Sequence, residues 1–136
     1  MTIRSLKKAL MELNRMLAFI LQKSGYLETA DLSTVKRSTA NPDDNFLFDE
    51  FFGLLTHLGY VYSVLSYMEK PVTHEGIIQI SRSDKYELDG IELADEDVIE
   101  ILEVDHYTKM NKWVMTAVRN NRNLSGKIAR IRNNDF

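Results

Sequence analysis

Residues 85–104, KYELDGIELADEDVIEILEV, combine a strand-forming apolar pattern with a high density of carboxylates. Aliphatic and aromatic residues lie on both sides of the turn-forming pair Asp89-Gly90, which predicts short β-strands joined by tight turns. The wider segment 84–105 holds ten acidic residues and one base, Lys85. The apolar pattern indicates the fold of this region, and the charge raises the question of what the carboxylates contact.

Segments of similar composition lie on both sides of this stretch. The predicted strands are GIIQISR (76–82), KYEL (85–88), DVIEILEV (97–104), KWVMTAV (112–118) and KIARIR (127–132). Five short strands separated by turn residues predict a small, strongly bent β-barrel of the SH3-like or OB-like kind. The facing of Val98 and Ile99 stays open, because both neighbours are apolar. The expected core residues are Tyr86, Leu88, Ile101, Trp113 and Ile131.

The N-terminal part has helical periodicity instead. Thr2 is suited to cap a first helix that ends at Lys23, before Gly25. Apolar residues along this helix recur at alternating spacings of three and four, which predicts one narrow apolar stripe, here called the first seam. Its members are Ile3, Leu6, Leu10, Leu13, Leu17 and Ile20.

A second helix follows residues 26–40, which read as a connection with one short helical turn. Asn41 is a good helix cap, Pro42 fits the first helical position, and two carboxylates come next, at the positive end of the helix dipole. The helix is expected to run until Pro71. Its own stripe, the second seam, consists of Leu47, Phe51, Leu54, Leu58, Val61, Leu65 and Met68.

The chain is therefore predicted to be an α+β protein with two parts. Residues 1–71 form a helical hairpin of two long amphipathic helices, and residues 72–136 form the small barrel. The apolar face of the second helix is wider than one partner helix can cover, so we expect the hairpin to form a C2 homodimer. The candidate interface residues are Phe48, Phe52, Leu54, Leu55 and Tyr62.

Composition argues against several classes of protein. The 136 residues carry a formal net charge of −3, which favours neither nucleic acid nor a membrane as partner. The chain has no cysteine, which excludes disulfides, thiolate metal sites and cysteine nucleophiles. Glu12, Asn14 and Arg15 interrupt the apolar residues of the first helix, so no stretch approaches the ~20 residues of a membrane span. We expect a cytoplasmic protein.

No motif has catalytic or ligand-binding spacing. The six glycines form no phosphate-binding loop, and the three histidines lack the i, i+4 spacing of a helical metal site. The turn Asp95-Glu96-Asp97 lacks the alternating ligands and the glycine of a calcium loop. The sequence therefore predicts no catalytic residue, no metal and no cofactor, and a protein that is not an enzyme.

Basic residues are segregated from the acidic ones. Residues 109–132 contain no acid and seven bases: Lys109, Lys112, Arg119, Arg122, Lys127, Arg130 and Arg132. One interpretation is that acidic strands pair with basic strands, each pair contributing roughly 0.2–1 kcal/mol. The other is that a surplus of charge stays exposed, either as a basic face for phosphates or as an acidic face that docks on or mimics a nucleic acid. Trp113 suits either a core position or a base-stacking position beside Lys112.

The C-terminal part resembles a known family. The matching pattern is Tyr86-x-Leu88-x-Gly90-x-x-Leu93, an acidic turn into Val98-Ile99-Glu100-Ile101, Trp113, and Leu124-x-Gly126-x-x-Ala129-Arg130-Ile131. It is similar to a small barrel domain of unknown function that is carried on phages and conjugative elements of Gram-positive bacteria. The resemblance implies a fold and a mobile-element setting, but no catalytic residues.

Two functions remain open. The leading one is a non-catalytic interaction or regulatory protein of a mobile element that binds a protein partner, such as a host-defence inhibitor acting on a CRISPR nuclease. The alternative is a nucleic-acid-binding module that uses the basic segment 109–132. In both, the candidate contacts are the seven bases and Trp113.

Overall fold

The computed structural model describes residues 1–119 and 123–132. The chain is an α+β protein with an N-terminal helix pair followed by antiparallel β-sheets. It divides into two compact units, Met1–Glu69 and Lys70–Phe136, here called the helical unit and the β unit. The division falls just before Pro71, the residue that marks the boundary in the sequence.

The helical unit contains α1 (Ile3–Lys23), α2 (Tyr26–Thr29) and α3 (Pro42–Glu69). Thr2 caps α1: its hydroxyl accepts a hydrogen bond from the Ser5 N–H at 3.0 Å, and the Ser5 hydroxyl accepts one from the Thr2 N–H at 3.0 Å. Asn41 caps α3, because its side-chain oxygen accepts the N–H of Asp43 at 2.9 Å. Both predicted helix starts are therefore confirmed.

α1 and α3 form an antiparallel hairpin. Asn14 of α1 donates from Nδ2 to Oγ of Ser66, near the end of α3, at 3.2 Å. Ile20, later in α1, shares a groove with Leu54, earlier in α3. Rising residue numbers in α1 thus match falling numbers in α3, as in an αα-hairpin. The buried residues of the hairpin core are Leu17, Leu21, Leu32 and Leu55.

The β unit contains β1 (Val72–Ile77), β2 (Gln79–Ile80), β3 (Tyr86–Leu88), β4 (Ile91–Glu92), β5 (Val98–Val104), β6 (Asn111–Ala117) and β7 (Ile128–Arg132). They form two antiparallel sheets, one in the order β1-β7-β5-β6 and one in the order β2-β3-β4. Each predicted strand segment contains a strand, and β4 is additional. Strand pairing within the described residues does not close a barrel, because each sheet keeps two edge strands.

The predicted strand at residues 76–82 is divided between the two sheets at Ile78. The Ile78 N–H donates to the Lys127 carbonyl at 2.9 Å, and the Ile78 carbonyl accepts from the Gly126 N–H at 2.8 Å. The chain before this point pairs with β7, whereas the chain after it pairs with β3. One continuous apolar segment therefore serves both sheets.

Both sheets contribute to one hydrophobic core. Its buried members are Ile78, Leu88, Leu93, Ile99, Ile101, Val118, Leu124 and Ala129. Leu88 and Ile101 are core residues as predicted, and Tyr86 and Ile131 are partly buried against the core. The two sheets are thus held together by shared apolar contacts as well as by the chain segments that connect them.

Two core positions needed the structure to decide them. In β5, Ile99 is fully buried and Val98 is 38% exposed, so the inward residue is Ile99. The prediction that Trp113 fills the core is wrong, because this side chain is only half-buried and lies outside the core cluster. Its actual contacts are described below.

We predict that Ile99→Ala lowers the free energy of unfolding by about 2–5 kcal/mol, because it opens a cavity in a fully buried site. Val104→Ala in the same strand is the matched control: Val104 is 53% exposed, and its loss should cost less than about 1 kcal/mol. Urea titrations of both variants give the comparison. Equal losses would show that β5 does not bury its Ile99 face.

Candidate functional site

The four-stranded sheet carries a buried ionic cluster on the face opposite its core. Because side chains alternate along β5, Glu100 points away from the face of Ile99 and Ile101. The strand register places Glu100 beside Arg130 of β7. Arg130 donates from Nε and Nη2 to Glu100 Oε1 at 3.0 and 2.8 Å. Glu100 is only 6% exposed, so its carboxylate is almost removed from water.

Arg132, two residues along β7, reaches the same carboxylate. Its Nε donates to Glu100 Oε2 at 2.6 Å, and its Nη1 donates to the Lys70 carbonyl at 2.9 Å. Two guanidinium groups therefore share one carboxylate. Charge-assisted hydrogen bonds of this kind are stronger than neutral ones, and the low dielectric of a buried site strengthens them further.

Trp113 belongs to this ionic cluster. In the β5–β6 register it lies opposite Leu102, which is on the Glu100 face of β5. The guanidinium carbon of Arg130 is 4.2 Å from the centre of the Trp113 ring, a cation–π distance. Arg130 thus covers one face of the ring, and the ring helps to shield the Arg130–Glu100 pair from water. The β5–β6 register therefore places the tryptophan on the face opposite the core.

Two further candidate bases lie next to carboxylates of the acidic segment. Lys112 Nζ is 3.8 Å from Asp105 Oδ2, and Arg119 Nε is 3.4 Å from Glu96 Oε1. The bases of both pairs are more than half exposed, so water screens each pair and its contribution to stability is small. They nevertheless lower the charge that the basic segment presents to solvent.

The remaining candidates are Lys109 and Lys127, which are exposed, and Arg122, which lies outside the described residues. Four of the seven bases are thus within ion-pair distance of a carboxylate from segment 84–105. Much of the charge segregation in the sequence is therefore used for pairing inside the β unit.

Other carboxylates of this segment close turns. Asp97 Oδ2 accepts the N–H of Ala94 at 2.8 Å. Asp105 Oδ1 accepts the N–H groups of Thr108 and Tyr107 at 3.1 and 2.9 Å, and these two backbone bonds hold the pKa of Asp105 below its usual value. The acidic turns are thus stabilised by backbone N–H groups that donate to carboxylate oxygens.

The three-stranded sheet brings two glutamates face to face. Glu87 of β3 is directly opposite Glu92 of β4, an arrangement that repulsion disfavours. The Ser83 hydroxyl donates to Glu92 Oε1 and is the main cause that lowers the pKa of Glu92, with a smaller effect of Ser81. Serine hydroxyls therefore offset the repulsion on this sheet.

A pocket of about 350 Å³ is lined by residues of both sheets, a size typical of small-ligand sites. Its imidazole, His74, has Nδ1 at 3.0 Å from Oγ1 of Thr73, and that hydroxyl lies 3.4 Å from the Ile131 carbonyl. Glu92 and Asp97 on its lining hold the internal hydrogen bonds already described. Within residues 1–119 and 123–132, no group of three or more His, Asp or Glu side chains is placed to hold a metal ion.

The helical unit presents a different kind of surface, because α1 and α3 leave most of their seams uncovered. Leu17 is the one buried member of the first seam, and Leu65 is the one buried member of the second, both seams being fully described. The helices pack through Leu17 of the first seam, through Leu58 and Val61 of the second, and through a neighbouring stripe that includes Leu21 of α1 and Leu55 of α3. Each helix therefore keeps an apolar stripe in contact with solvent.

Exposed members of the two seams come together near Ile20 of α1 and Leu54 of α3. Leu6, Leu13 and Ile20 follow one another at intervals of seven and so share one line along α1, and the second seam repeats the interval in α3. Ile20 and Leu54 line a common groove of about 330 Å³. We call the resulting patch, with side chains 38–55% exposed, the seam surface: Leu6, Leu13, Ile20, Leu47, Phe51, Leu54 and Met68.

Most of the predicted dimer interface is instead engaged inside the helical unit. Leu55 is buried in the hairpin core, and Phe48 and Tyr62 pack against that core. The Phe52 ring lies 6.5 Å from the ring of Tyr26 in α2. The wide apolar face of α3 is thus covered by α1, α2 and the connection, and only Leu54 belongs to the seam surface. In the sequence, the spacing of seven between Leu6, Leu13 and Ile20 was the signal for the α1 residues that the predicted interface left out.

No protein-family model, curated protein or solved structure matches this chain. Among the described residues, no helix is both long and apolar enough to cross a membrane.

We predict that Glu100→Gln lowers the free energy of unfolding by about 3–5 kcal/mol, because it leaves two largely buried guanidinium groups without their counter-charge. Glu103→Gln is the control, since Glu103 is an exposed glutamate of the same strand and should change stability by less than about 0.5 kcal/mol. Denaturant titration at neutral pH measures both. A Glu100→Gln loss below about 1 kcal/mol would contradict a stabilising role of the cluster.

We also predict a pH dependence at Asp105. Its pKa is lower in the folded chain than the ordinary 3.8, so its stabilising effect is complete above that value and is lost as the pH falls through the lowered folded-state value. Asp105→Asn removes the charge and keeps an oxygen acceptor. The stability difference between wild type and variant should be constant near neutral pH and shrink below about pH 4. Urea titrations at a series of pH values test this, and a constant difference down to acid unfolding would contradict it.

Proposed function

We propose that this protein is a non-catalytic interaction protein that binds another protein through the seam surface of its helical unit. One observation carries the proposal: exposed apolar residues of both long helices, Ile20 of α1 with Phe51 and Leu54 of α3, line one groove of the hairpin. Contiguous apolar patches on a folded chain are typical of protein-binding surfaces, because their burial is favourable. The groove at Ile20 and Leu54 has no charged residue in its lining, which suits an apolar partner surface.

The nucleic-acid alternative receives less support from the β unit. Phosphate binding uses bases whose charge is available, whereas four of the seven candidate bases lie next to carboxylates. Stacking of a base needs a free ring face, and Arg130 occupies one face of Trp113. Among the described bases of segment 109–132, Lys109 and Lys127 are exposed and lie outside the four ion pairs, which supports weak, salt-sensitive binding.

The family resemblance supports a mobile-element setting for this interaction role. Residues of the matching pattern occupy structural positions: Leu88 and Ala129 are fully buried, and Gly90 and Gly126 have φ values of +80° and +84° that favour glycine. Such residues specify a fold but do not indicate a biochemical function. The proposal therefore includes an SH3-like or OB-like barrel character of the β unit. It also includes an accessory or host-defence-inhibiting role, for example inhibition of a CRISPR nuclease.

The test is whether a protein is retained in a way that depends on the seam surface. Tagged protein is mixed with an untagged copy and with a nuclease-treated host extract. We expect a discrete protein to be retained by the wild type and lost with Leu54→Asp, because the substitution places a charge in the apolar surface. Tyr60→Asp is the matched control: Tyr60 lies in the same helix and is 72% exposed, but it is outside the seam surface.

Circular dichroism and thermal melts establish that both variants fold. Retention of no protein by the wild type, or equal retention by the two variants, would show that the proposed function is wrong. If untreated extract instead yields DNA or RNA at physiological salt, and Lys109→Glu/Lys127→Glu loses it, the alternative is favoured.

A further inference from the structure

We infer that the pocket between the two β-sheets binds a small, largely apolar molecule that carries one protonated amine. All residues that line the pocket belong to the β unit, so this site goes beyond the protein interaction proposed for the seam surface. Three features of the lining point to this class of ligand: aliphatic walls, hydrogen-bond acceptors without a partner, and a cation that is already engaged.

Branched aliphatic side chains form the walls of the pocket. Leu93 and Ile99 are 4% and 0% exposed and belong to the hydrophobic core, so the pocket reaches the core of the β unit. Burial of an apolar ligand against such walls is favourable. The volume of about 350 Å³ is near the lower end of the range for ligand pockets, which suits a small molecule. The wall residues are Ile91, Leu93, Val98, Ile99 and Ile131.

His74 adds a hydrogen-bond acceptor to this lining. A carbonyl can only accept, so the Thr73 hydroxyl donates its proton to the Ile131 carbonyl at 3.4 Å. The Thr73 oxygen then accepts a hydrogen bond from Nδ1–H of His74 at 3.0 Å. In the neutral imidazole this bond places the proton on Nδ1 and leaves a lone pair on Nε2. Nε2 has no hydrogen-bond partner among the described residues, so it can accept from a ligand.

Two carboxylates on the lining add further acceptors and negative charge. Glu92 accepts hydrogen bonds from Ser83 and Ser81 through Oε1, and Asp97 accepts the Ala94 N–H through Oδ2. Within residues 1–119 and 123–132, the second oxygen of each carboxylate has no partner. The Ser83 hydroxyl is the main cause that holds the pKa of Glu92 below its usual value, so this carboxylate is ionised near neutral pH.

The guanidinium of Arg132 is on the lining but is already engaged. Its Nε and Nη2 donate to Glu100 at 2.6 and 3.5 Å, and its Nη1 donates to the Lys70 carbonyl at 2.9 Å. An anionic ligand would therefore meet two carboxylates without an available cation among the described lining residues. A protonated amine supplies donors and positive charge to acceptors that lose water when the pocket is filled. The lining thus favours an amine over an acid with the same apolar part.

Three probes with the same phenyl group test this preference on the full-length chain: 2-phenylethylamine, 2-phenylethanol and 3-phenylpropionate. At about pH 8 the amine is protonated and the acid is ionised. Amide chemical shifts of ¹⁵N-labelled protein should report amine binding at Leu93, Ile99 and Ile131, with a dissociation constant on the order of 1 mM. The acid should bind at least about fivefold more weakly, with the alcohol between the two. A smaller difference between amine and acid, or no shift changes at the pocket with about 20 mM amine, would overturn the inference.

Carboxylate variants test whether the preference comes from this lining. Glu92→Gln/Asp97→Asn removes both charges but keeps oxygens that can accept the serine hydroxyls and the Ala94 N–H. It should raise the dissociation constant of 2-phenylethylamine by about fivefold or more and that of 2-phenylethanol by less than about threefold. Asp95→Asn/Glu103→Gln is the matched control, because it removes two exposed carboxylates of the β unit that lie off the lining.

The control should change the affinity for the amine by less than about threefold. Thermal melts establish that both double variants fold, and if the pocket variant does not fold, Glu92→Gln is compared with Glu103→Gln. A pocket variant that weakens the amine no more than its control does would overturn the inference.

Discussion

The buried carboxylate of Glu100 is the contact on which the arrangement of charge in the β unit depends. It lies on β5, the strand that pairs with both β6 and β7, and it accepts hydrogen bonds from Arg130 and Arg132. A carboxylate withdrawn from water needs compensation of this kind, since an unpaired buried charge is strongly unfavourable. Trp113 then packs on Arg130. Side-chain charges that the sequence leaves open for a partner are thus paired with one another within the sheet.

The helical unit differs from the β unit. Its helix starts are capped, but part of its apolar surface is exposed to solvent. The Asn14–Ser66 hydrogen bond sets the register of the hairpin, although Asn14 Oδ1 is buried without a hydrogen-bond partner among the described residues. A polar group in a helix core costs stability and specifies one register, as in coiled coils. The register brings Ile20 of α1 beside Leu54 of α3, so exposed members of the two seams share one groove.

The ion pairs of the β unit and the exposed apolar residues of the helical unit together favour one kind of partner. Four described bases of segment 109–132 lie next to carboxylates of the β unit, which lowers the charge that this segment offers to phosphates. The helical unit offers apolar area, whose burial is the main favourable term in protein association. Binding through the seam surface uses what the fold leaves exposed, whereas nucleic-acid binding would have to compete with contacts that the fold already makes.

The sequence by itself determined the features that depend on neighbouring residues. The caps at Thr2 and Asn41, the α+β class and the strand segments all follow from local hydrogen bonding and side-chain periodicity, which act over a few residues. The stripe that contains Leu54 was visible in the same way. The first seam of α1 is equally periodic in the sequence. The exposure of its residues, however, depends on how α1 is rotated against α3.

Tertiary structure decided everything that required two distant segments to meet. Glu100 and Arg130 are 30 residues apart, and only the pairing of β5 with β7 makes them a buried pair. The pairing of β5 with β6 places Trp113 on the same face, outside the core. The break at Ile78 likewise exists because one apolar segment pairs with two different sheets. A charge pattern states which residues could pair, but pairing depends on register, and register is set by the packing of the whole core.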